Sequence, residues 1–226
     1  MPVLEILTSS GFGSLLGMRH ALEPDHLAAV STLVSHERNG FRAAWLGLCW
    51  GAGHTLALLT VGASLVVLRS ELPGSVTTVF EFGVAIMLVG LGLRAIGQSA
   101  RQGGTGPSWL HRHGWVLHRH SGAQPHVHVG SWTLARRPLI IGAIHGLAGS
   151  GALTALVLAT LPSTSARLTY MALFGLGSAV GMAVLSGLLG WPLARLGAHH
   201  TVARGVTLLV GCLSTALGFF WGYRLL

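Results

Sequence analysis

The chain has no lysine, and its six acidic residues end at Glu81. Without lysine there can be no GxxxxGK[ST] phosphate loop, so ATP-driven chemistry through that motif is excluded. Charged residues make up 9% of the chain, against about 25% in a typical soluble domain, which excludes an ordinary water-soluble fold. Cysteine is nearly absent too. Cys49 and Cys212 lie in different predicted helices without CxxC spacing, which argues against a thiol–disulfide carrier and suggests buried, inert thiols. The missing acids of the second half carry a further consequence: any metal ligands there must be His, Ser, Thr or backbone oxygen.

Apolar sequence is abundant. The chain is 51% hydrophobic with a mean hydropathy of +0.64, and six windows of about 20 or more residues are nearly free of charge, long enough to cross a bilayer. They run approximately over 5–34, 42–69, 76–97, 138–161, 168–194 and 203–224. The expected fold is therefore all-α, a polytopic membrane protein with six transmembrane helices. Its N-terminus opens on acidic Glu5 and is interrupted at Ser9-Ser10-Gly11, so it reads as mature sequence rather than a signal peptide.

A net charge of +8 would raise the question of nucleic acid in a soluble protein, but here the arginines sort by side. With the N-terminus placed outside, Arg38, Arg42, Arg94, Arg101, Arg112, Arg119, Arg136, Arg137, Arg195 and Arg204 fall on one side and only Arg69, Arg167 and Arg224 on the other. By the positive-inside rule both termini face out and residues 99–136 form a cytoplasmic loop. The expected location is the bacterial cytoplasmic membrane, with the lipid bilayer as partner and no nucleic acid.

Two segments look alike. Gly17-Met18-Arg19-His20-Ala21-Leu22 resembles Gly142-Ala143-Ile144-His145-Gly146-Leu147 at an offset of 125, and Gly83-Val84 resembles Gly205-Val206 at 122. This divides the chain into a first three-helix repeat (1–98), the His-rich loop (99–136) and a second three-helix repeat (137–226). An odd number of spans per half inverts the second half, the plan of many transporters with a midplane site. Gly47 with Gly51, Gly142 with Gly146 and Gly177 with Gly181 have the small-xxx-small spacing of closely packed membrane helices.

Within the first span stands His20-Ala21-Leu22-Glu23-Pro24-Asp25-His26. Ionisable groups in hydrocarbon cost at least roughly 2.5 to 3.5 kcal/mol each, so they mark function; two imidazoles with carboxylates suit a metal cation. At about 100° per residue a straight helix would set Asp25 about 140° and His26 about 120° the other way from His20. Pro24 removes a backbone donor and disfavours helix at Glu23, so a break there turns the ligands inward and frees carbonyls for the cation. Alternatively, Glu23-Pro24-Asp25 simply starts a helix, with Glu23 as either cap or ligand. His54 and His145 lie deep in the second and fourth spans and join His20, Asp25 and His26 as expected metal ligands, with Glu23, Thr55 and Ser150 as secondary ones.

His20-x4-Asp25-His26 resembles the HX4DH signature of the nickel/cobalt permeases, and Gly53-His54-Thr55 resembles their second histidine-bearing helix. The run Ile141 to Ser150 is similar to the corresponding segment of their shorter, urease-associated branch. Glu23-Pro24 departs from the Asp-Ala of the longer permeases, whose additional spans are also missing. The resemblance implies a secondary transporter, not an enzyme, without a prosthetic group, with Ni2+ or Co2+ as transported substrate and His20, Asp25, His26 and His54 as the metal pathway.

The loop holds three HxH pairs: His111 and His113, His118 and His120, His126 and His128. Alternate side chains of a strand share a face, so each pair can chelate metal as an internal buffer. Segments 115–120 and 126–132 are expected to pair as a hairpin around residues 121–125; the alternative is a disordered basic loop.

Inward movement of a divalent cation gains about 4.6 kcal/mol per 100 mV, on the order of a thousandfold accumulation. Uptake by alternating access, driven by membrane potential or a proton gradient, is the leading expectation. The alternatives are nickel or cobalt efflux, and a membrane-bound chaperone passing nickel to a metalloenzyme maturation factor.

Overall fold

In a computed structural model the backbone is described for residues 2–35, 37, 39–68, 70, 72–101, 109–113, 116–120, 126–129, 132–161, 163–196 and 200–226. Side chains are described for 11–35, 37, 39–68, 70, 72–100, 136–149, 153, 156, 157, 160, 161, 163–192 and 201–226. Among the described residues, seven helices follow in order: α1 (Pro2–His20), α2 (Pro24–Val34), α3 (Gly40–Leu68), α4 (Gly74–Arg101), α5 (Arg136–Thr160), α6 (Thr164–Leu196) and α7 (His200–Arg224). Among the described residues, α3, α4, α6 and α7 are long and apolar enough to cross a membrane. Their outward faces carry Leu56, Ile86, Leu188, Leu213 and Phe219 exposed, an apolar surface too extensive for a protein bathed in water. Cys49 is buried, but Cys212 is exposed on α7, because that helix turns a broad face outward; the expectation of two buried thiols holds for the first alone.

The overlong first window is two helices. Pro24 opens α2 at its first turn, where a missing N–H costs nothing, and Glu23 before it is extended at φ −64° and ψ 148°. The break does not leave the end of α1 bare. Ala21 N donates to the Gly17 carbonyl at 3.3 Å, Leu22 N to Arg19 at 2.9 Å and Glu23 N to His20 at 3.0 Å. The carbonyls of Gly17, Arg19 and His20 thus accept bonds within the tight turns that close the helix.

Between α4 and α5 lie strands β1 (Trp109–His113), β2 (Val116–His120), β3 (His126–Val129) and β4 (Trp132–Ala135). They form two antiparallel hairpins, β1 with β2 and β3 with β4. The expectation of an all-α chain therefore fails between α4 and α5, where the described residues form strands, and the expected pairing of segments 115–120 and 126–132 is replaced by local ones. Each observed pair is separated by two residues beginning with Gly114 or Gly130, the composition short hairpin connections favour, and shorter loops close at lower entropic cost.

Helix packing exchanges in pairs. α1 packs on α6 while α5 packs on α3; α2 meets α7 while α5 meets α4; and α3 meets α6, and α4 meets α7, directly. The exchange extends to single residues. A Cβ on Gly17 would strike the Phe174 carbonyl and one on Gly142 the Trp50 carbonyl; one on Gly177 would strike Ser14 and one on Gly53 Leu139. Each mate lies 124 or 125 residues from its counterpart. These glycines let backbones approach to contact, where dispersion and interhelical hydrogen bonds hold membrane helices together. Thr55 Oγ1 donates to the Gly175 carbonyl at 2.7 Å, Ser214 Oγ to Leu88 at 2.9 Å and Ser99 Oγ to Arg204 at 3.0 Å. The core around Val30, Trp50, Leu88 and Met182 surrounds the break between α1 and α2.

Candidate metal centre

His20 is the last residue of α1, and Asp25 and His26 stand in the first turn of α2. The break changes the direction of the chain between them, which removes the angular conflict of a single straight helix. Asp25 also sits where the positive end of the α2 dipole favours a carboxylate. His54 occupies the midpoint of α3, and His145 lies on α5. All five converge. His26 and His54 are 1% and 0% exposed and His145 is 2%, while the side chains of Asp25 and His20 keep 13% and 16%.

The polar contacts are specific. Asp25 bridges two rings: Oδ1 lies 3.2 Å from His26 Nδ1 and Oδ2 lies 3.2 Å from His145 Nε2. His20 Nε2 is 3.4 Å from His54 Nε2. Ring centroids are 4.4 Å apart for His20 and His26 and again for His26 and His145. His26 Nε2, His54 Nδ1 and His145 Nδ1 are buried with no hydrogen-bond partner among the described residues. A buried polar nitrogen without a partner costs free energy, and an ion or a water bound here would remove that cost. Donor atoms of His20, His26 and His54 lie within 4.8 Å of one another, as do those of Asp25, His26 and His145. Imidazole nitrogens bind transition metals at about 2.0–2.1 Å, so a modest contraction of either triad would place three donors on one ion.

The secondary residues behave differently. Glu23 makes no side-chain cap and belongs to neither triad; its half-exposed carboxylate lies 3.0 Å from His20 Nδ1. That contact orients the ring so that Nε2 faces His54, as a carboxylate behind a ligating histidine does. The Thr55 hydroxyl is engaged with the Gly175 carbonyl. The side chain of Ser150 lies outside the described residues, as do the side chains of His111, His113, His118, His120, His126 and His128, whose backbones run in β1, β2 and β3.

Sequence reasoning missed the aromatic walls. Trp50, one turn before His54, is fully buried and its ring lies 5.5 Å from His26 and 5.6 Å from His145. Phe174 on α6 lies 5.3 Å from His20. Trp50 was within reach of sequence, because i and i+4 share a helix face; Phe174, 120 residues from His54, carries no local signal. Gly149 leaves room beside the cluster: a Cβ there would sit 3.9 Å from His20 Nε2 and 4.0 Å from His54 Nε2.

No family model matches the chain, and no solved structure matches it significantly. Over 180 residues it is 27% identical to the chloroplast protein FOR GROWTH AND FERTILITY 2 of Arabidopsis thaliana, covering 79% of this chain but only 46% of that protein. It is 31% identical over 231 residues to the urease accessory protein UreH of Bacillus sp. (strain TB-90), covering 100% of this chain and 95% of that one. At that identity and coverage, the chain belongs to the family of the urease accessory protein UreH.

Proposed function

We propose that the protein is a secondary transporter that takes up Ni2+, or the chemically similar Co2+, across the bacterial cytoplasmic membrane. The observation that carries this reading is the convergence of four histidines and one aspartate, mostly buried, on the break between α1 and α2. Such groups in an apolar bundle mark an ion pathway, and imidazole suits Ni2+ and its neighbours. Full-length similarity to a urease accessory protein favours nickel.

In this reading α1 and α2 together make the first of six spans, α3 to α7 the others, and the termini face out. The paired exchange of helix contacts supports two inverted three-helix repeats, with the broken span holding the ion near the midplane. Alternating access moves the ion inward on the membrane potential, about 2.3 kcal/mol per charge per 100 mV, or on a proton gradient. The HxH strands on the cytoplasmic side buffer arriving metal or pass it to a metallochaperone.

Cells expressing the protein should accumulate 63Ni2+, and His26→Ala should abolish the gain. Uptake unchanged in that variant refutes the site; nickel tolerance that rises with expression selects export instead. Deleting residues 108–134 should leave flux measurable, whereas a chaperone working through its loop would lose its role.

A further inference from the structure

The five site residues do not form one coordination sphere. Their donors fall into two triads, His20 with His26 and His54, and Asp25 with His26 and His145, and the residue common to both is His26. The rings are arranged to match. His26 Nδ1 faces Asp25 at 3.2 Å, while its other nitrogen, Nε2, is buried and unpartnered among the described residues. The two nitrogens of one imidazole point away from each other, so they cannot serve the same ion. A neutral imidazole offers one lone pair at a time, since its second nitrogen carries the proton. His26 can therefore complete either triad but not both at once.

We propose that the site is a two-station relay in which one ion is held alternately by His20, His26 and His54 and by Asp25, His26 and His145, with His26 as the shared ligand. This rests on the transport reading above and adds the path inside the site.

The stations differ in chemistry. The first is three neutral imidazoles, with His20 partly exposed and the bare flank of Gly149 beside its nitrogens leaving space for the ion's remaining water ligands. The second carries a negative charge. Its close donor pairs, at 3.2 Å on each side of Asp25, span the separation that two ligands on one ion of this size require. With an ion in the first station, Asp25 accepts a hydrogen bond from His26 Nδ1 and fixes the ring as a second layer. With the ion in the second, Asp25 becomes a ligand, Nδ1 gives its proton to one of the water ligands that accompany the ion, and Nε2 takes one from water beside Gly149, so the ring stays neutral. Rebinding by the opposite nitrogen of a shared ring lets the ion pass without release into the apolar bundle, where a bare divalent cation would be prohibitively costly.

The test uses the purified full-length protein in detergent, titrated with Co2+ and read by its ligand-field absorption. Wild type should bind one equivalent more than His26→Ala, whose remaining uptake is that of the loop histidines. His54→Ala, which removes a ligand of the first station only, and His145→Ala, which removes one of the second only, should each still bind that extra equivalent, with difference spectra against His26→Ala shifted from one another. The wild-type difference spectrum should equal one of those two or a mixture of them. If either alanine variant is not monodisperse, His54→Gln and His145→Gln preserve volume and take its place. Two variants with the same difference spectrum, or both without the extra equivalent, overturn the relay, as does a wild-type difference spectrum that no mixture reproduces. A folded wild type that binds no more Co2+ or Ni2+ than His26→Ala overturns the transport reading itself, so the two failures are distinct.

Discussion

Gly142→Ala is the sharpest test of the packing that assembles the site, because one methyl group separates two outcomes. Its Cβ would strike the Trp50 carbonyl and would lie 2.8 Å from Trp50 Cδ1 and 2.9 Å from the His54 backbone nitrogen. Carbon contacts settle near 3.5–4.0 Å, so α5 must retreat from α3 by on the order of 1 Å. The obstructing atoms are mostly backbone, which cannot rotate away. Overpacking of this kind costs about 1–3 kcal/mol, roughly 2 to 12 °C of melting temperature at this chain length. The functional loss should be larger in proportion, since His145 stands one turn beyond Gly142 and meets Asp25 at 3.2 Å. Gly90→Ala is the matched control: nothing lies within 4 Å of its Cβ, and alanine is the better helix former by about 0.5–1 kcal/mol. Thermal unfolding in detergent and 63Ni2+ uptake should both fall in Gly142→Ala and hold in Gly90→Ala. Gly17→Ala, the counterpart on α1 facing Phe174, should fall with Gly142→Ala. If Gly142→Ala melts and transports like Gly90→Ala, the reasoning from close helix approach is refuted.

Thr55→Val removes a hydroxyl donated to the Gly175 carbonyl and should cost about 0.6 and at most about 1.7 kcal/mol of unfolding free energy, while Co2+ binding stays at the wild-type stoichiometry; the loss of one equivalent would make Thr55 a ligand. Glu37, in the connection between α2 and α3, has its carboxyl pushed above the ordinary range by burial, which outweighs the opposing charge of Arg42. A raised carboxyl keeps its proton longer in the folded state, so its contribution to stability is full in acid and is lost as pH rises through the raised value. Glu37→Gln should therefore melt with wild type at pH 4 and above it at pH 7; a difference that shrinks as pH rises would contradict that sign.

The residues of the site were legible, but not their grouping. The pattern His20-x4-Asp25-His26, the proline inside it and two further histidines in apolar sequence are local signals, since charge in hydrocarbon is costly wherever the chain goes. The division of the five between two triads depends on distances between α1, α2, α3 and α5, which no spacing encodes. Glu23 shows the limit. Sequence leaves it as cap or ligand; its side chain makes no cap and lies against His20 Nδ1. The loop strands failed for a related reason: alternation marks a strand but does not name its partner, and each strand pairs with its near neighbour rather than across the longer connection.

What the sequence determined by itself is the apolar character, the break at Pro24 and the offset of 125 that relates Gly17 to Gly142 and His20 to His145. These follow from composition, from a missing backbone donor and from repetition, all properties of the chain before it folds. What only the tertiary structure decided is that Asp25 bridges His26 and His145, that Trp50 and Phe174 wall the cluster, and that His26 belongs to both triads. Those facts arise where glycine faces let helices far apart in sequence touch, and packing of that kind is a property of pairs of surfaces rather than of any one segment.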